Sequence, residues 1–197
     1  MGVARKQPAT LTFRPVTPSR WKDLESLFGE RGACGGCWCM WWRMPRSEFD
    51  AKRGAGTKRA LKALVTRGKV PGVLAYVDGV PAAWCCIAPR REFPPLERSR
   101  VLAPVDGAAV WSVVCFFVAR PFRRQGLTAH VLAAAVQYAR RRGARIVEGY
   151  PTDSRGKPSP DPFVFTGLVS AFLRAGFVEV ARRSPTRPIM RHVAAGE

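Results

Sequence analysis

The stretch Val110–Thr128, VWSVVCFFVARPFRRQGLT, gathers the residue types that bind polyanions. The nine-residue apolar run Val110–Val118 reads as a strand buried on both faces. A Pro-containing turn follows, then Arg123, Arg124, Gln125 and Gly126, and an amphipathic helix begins at Leu127. The first N–H groups of a helix have no partner inside it, and the helix dipole adds partial positive charge there. Strand, basic glycine-bearing turn and helix together make a phosphate cradle. Arg120, Arg123 and Arg124 sit at the positive end of that helix, where cations are unfavourable unless an anion joins them. A second pair, Glu148 and Tyr150, lies two apart on a predicted strand, so both side chains leave one face. A partly buried carboxylate is pushed towards base duty. The alternative is that Glu148 pairs with an arginine and Tyr150 packs. The third cluster is Cys34-x-x-Cys37-x-Cys39 with Trp38, Trp41 and Trp42. Three thiols fall short of a tetrahedral zinc site, and no fourth Cys or His is near in sequence. No metal is expected.

The elements that must position these groups follow from periodicity and punctuation. A first strand spans 11–16, and Pro18-Ser19 opens a helix over 20–28 with Trp21, Leu24, Leu27 and Phe28 on its apolar side. The Cys/Trp loop comes next, then a helix over 57–67 stopped by Gly68. Strands 73–77 and 80–87 flank Asp78-Gly79, a strong hairpin signal. Residues 90–100 read as a charged loop. After the central strand and the helix 127–143, a strand is predicted over 145–150, an irregular loop over 152–162, a helix over 163–174, and strands over 177–181 and 189–193. The order gives one α/β domain over residues 1–197, a single mixed, mostly antiparallel sheet flanked by helices. Residues 1–9 and 194–197 are expected as loose tails.

At Arg123-x-x-Gly126-x-Thr128 the chain resembles the GNAT superfamily of acetyl-CoA-dependent acetyltransferases, whose pattern after the central strand is Arg/Gln-x-x-Gly-x-Gly/Ala. SAFLRAGFVEV, 170–180, resembles the family's last helix, turn and strand. The likeness runs in element order from about residue 10 to 193. It implies a GNAT-like sheet whose central strand splays from the strand at 145–150, so that pantetheine slips between them. It also implies acetyl-CoA as co-substrate, held by Arg123, Arg124, Gln125, Gly126, Leu127 and Thr128, with the edge at Phe117 and Val118 pairing pantetheine and a backbone N–H near Val118 meeting the oxyanion. The implied reaction is direct N-acetylation of a small-molecule or peptide amine. Family positions for a tyrosine, an asparagine and a carboxylate hold Phe172, Phe165 and Ser112 here. Proton handling therefore falls to Glu148 as base and Tyr150 as acid for the departing sulfur, or to water. Asp153 and Asp161 are further candidates for contacting the amine. The family's acceptor pocket is walled by the region of Trp38, Trp41 and Trp42, which either cover the acceptor through area and cation–π attraction or belong to the core.

Composition bounds these readings. Apolar content of 47% argues against disorder, and no apolar run is long enough for a membrane span. The start lacks the apolar core of a signal peptide, so a cytoplasmic protein with reduced thiols is expected. The formal net charge of +19 opens a competing reading, a GNAT-like domain without turnover that binds nucleic acid through its basic surface. A thiol- or zinc-dependent regulator is the third reading. The oligomeric state, monomer or homodimer, is left open.

Overall fold

A computed structural model describes residues 9–156 and 163–194. Seven strands form one sheet: β1 (Leu11–Pro15), β2 (Gly72–Val77), β3 (Val80–Pro89), β4 (Trp111–Val118), β5 (Ile146–Gly149), β6 (Val178–Arg182) and β7 (Pro188–Val193), in the order β1-β2-β3-β4-β5-β7-β6. β4 and β5 run parallel, and every other neighbouring pair is antiparallel. The helices are α1 (Trp21–Phe28), α2 (Arg46–Lys52), α3 (Ala55–Thr66), the single turn α4 (Pro94–Glu97), α5 (Leu127–Arg140) and α6 (Val169–Arg174). This is the mixed, mostly antiparallel sheet that the element order implies.

Two apolar layers sandwich the sheet. On one side α1 and the Cys/Trp loop bury Trp21, Leu24 and Phe28 against Trp84, Cys86 and Cys115. On the other, α5 lays Leu127, Val131, Leu132, Ala135 and Val136, spaced by three and four, against Val73, Cys85, Ile87 and Val113. β3 serves both layers, which is why its sequence AAWCCIA carries no polar alternation. At the β2–β3 hairpin, Asp78 and Gly79 take φ of 49° and 80°, the left-handed pair of a two-residue turn that matches strand twist.

β4 and β5 pair over only three residues, ending at Val113↔Gly149. Immediately beyond, β4 carries a bulge. Val113 faces Ile87 and Cys115 faces Cys86, which leaves Val114 as the extra residue. Val114 and Cys115 therefore both point to the α1 side, and the bulge turns β4 away from its neighbour. Pro151 follows on the β5 side and has no N–H to continue a ladder. The strands part there, as the resemblance implied.

Two expectations are corrected. The helix over 163–174 is only Val169–Arg174. Residues 164–168 instead cross the gap between the diverging strands: Phe116 N–H donates to Phe165 O at 2.6 Å and Thr152 N–H donates to Gly167 O at 2.8 Å. Gly167, at φ 86°, permits this course, and a Cβ there would press on Phe116 and Phe172. The charged stretch 90–100 is no simple loop either, because Arg90 is buried and α4 packs Leu96 into the core.

Candidate functional site

The strand-to-helix cradle stands at the end of the sheet where β4 and β5 part. A 3-10 turn, Arg120–Phe122, leads from β4. Arg123 is extended, Arg124 is left-handed at φ 60°, and Gly126 is left-handed at φ 77° as the N-cap of α5. Left-handed residues in such a turn aim successive N–H groups into one concavity. Among the described residues no side chain caps α5, and its first turn holds no acidic residue to answer the free N–H groups and the dipole. Arg120 and Arg124 are exposed. Two side chains hold the turn itself, with Arg123 Nε donating to Val118 O at 2.9 Å and Gln125 Nε2 to Pro121 O at 2.9 Å. Leu127 is buried under the cradle, while Thr128 is half-buried.

Main-chain direction along β4 decides which groups face the gap. Ala119 N–H donates to Ala82 O on the β3 side. By alternation the polar groups of Phe117 also serve β3, and those of Val118 and Phe116 point away from it. Phe117 thus cannot offer its backbone to a ligand, which corrects one expectation; its ring packs edge-on to Phe28 at 5.6 Å. Phe116 N–H is taken by Phe165. Val118 N–H is the outward donor at the open end of the strand.

Glu148, Tyr150 and Ser112 lie on the α1 side just before the strands part. Glu148 is fully buried and accepts from three donors: Arg90 Nη1 at 3.1 Å, Arg191 Nε at 2.8 Å and the Tyr150 hydroxyl at 2.7 Å. Arg90 Nη1 also donates to Tyr150 Oη at 2.7 Å, and Ser112 Oγ lies 2.9 Å from the same oxygen. Arg90 is completed by Glu97 at 2.7 Å and the carbonyls of Leu96 and Leu102. Arg191 is completed by Asp106, at 2.6 and 3.1 Å. Burial, with Glu148 beside it, pushes the Tyr150 phenol far above its ordinary range. The pairing alternative is therefore the one the structure shows. Glu148 is a saturated acceptor between two guanidiniums, and Tyr150 spends its proton on that carboxylate. Reading the two as an open base and acid does not describe this geometry. Asp153 is also engaged, by Arg155 N–H and Arg182 Nη1 at 3.0 and 2.8 Å, which holds its carboxyl below the usual range. Asp161 lies outside the described residues.

The Cys/Trp loop divides. Trp38 is core, stacked on Trp21 at 6.0 Å and edge-on to Phe28 at 5.4 Å, so it cannot wall a pocket. Trp41 packs edge-on to Phe49, and Arg46 covers its face at 4.5 Å. Trp42 remains partly open. The thiols scatter: Cys34 is exposed, and Cys39 turns inward, its Sγ 3.1 Å from Cys115 and accepting from Trp84 Nε1 at 3.0 Å. Burial raises the Cys39 thiol, and the hydrogen bond of Cys37 with Cys39, followed by burial, raises the Cys37 thiol. Among the described residues no group of three or more ligands is placed to hold a metal ion.

Sequence reasoning missed Arg90, Arg191 and Asp106. A carboxylate predicted in mid-strand was the available signal, because a buried Glu almost always has a cationic partner. The partners themselves stand far from it in sequence.

The profile of the acetyltransferase (GNAT) family matches residues 38–155, more than half of the chain, and the chain belongs to that family. No curated protein sequence matches it. Among solved structures it is similar to aminoglycoside N-acetyltransferase AAC(6')-Iy in complex with CoA, with TM-score 0.54, 16% identity and coverage of 92% of this chain and 95% of that one. It is also similar to the PaiA N-acetyltransferase of Thermoplasma acidophilum in complex with coenzyme A, with TM-score 0.53, 10% identity and coverage of 94% and 99%. A GNAT acetyltransferase of Streptococcus agalactiae superposes with TM-score 0.57 at 9% identity, covering 94% and 96%. At such identities the likeness speaks for the fold.

Proposed function

We propose that this chain is an acetyl-CoA-dependent N-acetyltransferase acting on an amine by direct transfer. The observation that carries the reading is the start of α5, an uncapped positive helix end with left-handed Arg124 and Gly126 and an exposed Arg120 beside it. That cradle fits a pyrophosphate, and the CoA complexes of the AAC(6')-Iy and PaiA enzymes support the choice of ligand. When bound, acetyl-CoA supplies an activated thioester. The N–H groups of residues 124–128 would hold its phosphates, with Arg120 and Arg124 adding charge. Val118 N–H would donate to the pantetheine arm or to the developing oxyanion.

The residues on the α1 side then have distinct duties. Glu148, Arg90 and Arg191 fix the ends of β3, β4, β5 and β7 around the gap. Tyr150 closes the inner end of the gap and presents its oxygen to Ser112. A lysine-like amine with a pKa near ~10.4 is neutral only about one time in a thousand near pH 7.4. With both Glu148 oxygens engaged, solvent reaching the open end carries that proton, and positioning supplies most of the rate. Trp42 lines the acceptor side. No observation favours the nucleic-acid reading that the net charge suggested.

The test is a panel of amines incubated with acetyl-CoA and followed by chromatography for free CoA and acetylated product. One-to-one formation of both with at least one amine class is expected. CoA binding with no acetylated product across amino acids, polyamines, aminoglycosides and peptide N-termini would overturn the assignment.

A further inference from the structure

Arg187 lies at the point where β5 leaves β4, immediately before β7. Its Nη1 donates to Thr166 Oγ1 at 2.6 Å and lies 3.5 Å from Tyr150 O. Tyr150 directly follows Gly149, the last residue of β5 to pair with β4. Along β7, Ile189 and Arg191 face the α1 side, Ile189 in the core and Arg191 on Glu148. Alternation puts Arg187 on that same side, at the open end. Among the described residues it has no carboxylate partner.

Its neighbours in the same turn region are differently placed. Arg182 is held by Glu179 and Asp153 at 2.7 and 2.8 Å. Arg183 spends both terminal nitrogens on the carbonyls of Ala103 and Pro104. Arg187 alone of these three is half-buried without an anion among the described residues, and burial lowers its proton affinity. Among the described residues its Nε and Nη2 have no acceptor, and neither is among the buried atoms left without a partner. These two N–H groups form the edge of a guanidinium that matches a carboxylate in two parallel hydrogen bonds. A half-buried cation left unpaired costs stability, so the site is built for an anion that arrives.

Building on the acetyltransferase reading above, we propose that Arg187 recognises a carboxylate on the acceptor, so that the substrate class is an amine that also carries a carboxylate, as amino acids do. One guanidinium edge suits one carboxylate. A phosphate group would call for further free cations, and Arg182 and Arg183 are already engaged.

The test uses matched pairs of acceptors: L-phenylalanine with phenethylamine, L-tryptophan with tryptamine, L-histidine with histamine and L-lysine with cadaverine. Wild-type protein should prefer a carboxylated member by about ten- to a hundred-fold in kcat/KM, the range expected for a charge-assisted pair. Arg187→Gln should raise KM for that member by a similar factor while leaving kcat less affected. The decarboxylated partner and the CoA Kd should not change. Arg187→Lys, which keeps the charge but not the two-pronged edge, should restore part of the loss, whereas a purely structural role for the Thr166 hydrogen bond would lower activity on both members of a pair. Equal or better use of the decarboxylated members overturns the inference and leaves the acetyltransferase reading standing, as does indifference of the preference to Arg187→Gln. Loss of CoA binding in both variants would make Arg187 a structural residue and overturn it too. Failure of the wild-type protein to bind CoA, or to acetylate any amine, would instead defeat the underlying reading.

Discussion

Two groups of arginines stand within a strand's length of each other and are treated in opposite ways. Arg90 and Arg191 are buried, and their charges are answered by Glu148, Glu97 and Asp106. Arg120 and Arg124 are exposed at the start of α5, where the helix dipole works against them and no acidic residue answers among the described residues. The first group is saturated and therefore holds shape. The second is left open, and on the proposed function it is there that the phosphates of CoA would bind. A net charge of +19 hides this distinction, because it counts both groups alike.

The largest effect should come from breaking the saturated group. Glu148→Ala leaves two buried guanidiniums facing each other without their shared anion, and a loss of about 3–5 kcal/mol is expected in urea unfolding. Arg124→Ala, on the open side, should change stability by no more than about 0.5 kcal/mol. Equal losses would erase the contrast.

That contrast was only half legible in the chain. The cradle is local: a strand, a turn and a helix start occupy consecutive residues, so Arg123 to Thr128 carry their own signal. The Glu148 network is assembled from the turn after β3, from β5, from β7 and from the loop holding Asp106, and no local pattern joins residues 90, 106, 148 and 191. The bulge at Val114 was equally silent, because the unbroken apolar run Val110–Val118 shows no extra residue. The course of residues 164–168 across the gap depends on a hydrogen bond to Phe116, almost fifty residues away, and propensity alone read it as helix. The tryptophans were ambiguous for another reason: Trp38 and Trp42 have the same chemistry, and only packing separates them.

The tryptophan distinction gives a second, somewhat smaller test. Trp38→Ala removes a ring stacked among Trp21 and Phe28 and should cost about 3–5 kcal/mol, towards the lower end if the loop collapses. Trp42→Ala should cost far less stability and raise KM for the amine more than for acetyl-CoA. The reverse pattern would move the acceptor wall to Trp38.

On the ligand side, Arg120→Ala with Arg124→Ala should weaken CoA by about ten-fold at low salt, and by less at high salt, because exposed charges are screened. A salt-independent loss would mean that the cradle's backbone, not its charge, was damaged.

The smallest effect concerns pH. Burial, followed by the charge of Arg140, lowers the proton affinity of His192, which sits edge-on to Phe177 at 5.5 Å. Its folded pKa lies below the unfolded value, so its contribution is present above an unfolded pKa of about 6.5 and is lost as pH falls towards and through the folded one. His192→Gln should flatten the slope of stability between about pH 7 and 5, read by thermal unfolding. An unchanged slope would assign that titration elsewhere.

The central claim rests on the start of α5, and a pair of glycines at its two ends isolates it. Gly126 and Gly143 have φ of 77° and 83°, and a Cβ at either meets no protein atom within 4 Å. Valine is strained at both, so Gly126→Val and Gly143→Val should destabilise the fold by similar amounts. Only Gly126 would lie against a bound phosphate. Calorimetric titration with CoA should show one site per chain in wild type and in Gly143→Val, and a loss of about a hundred-fold or more in Gly126→Val, the equivalent of ~2.7 kcal/mol. Equal CoA affinity in the two folded variants would contradict the account.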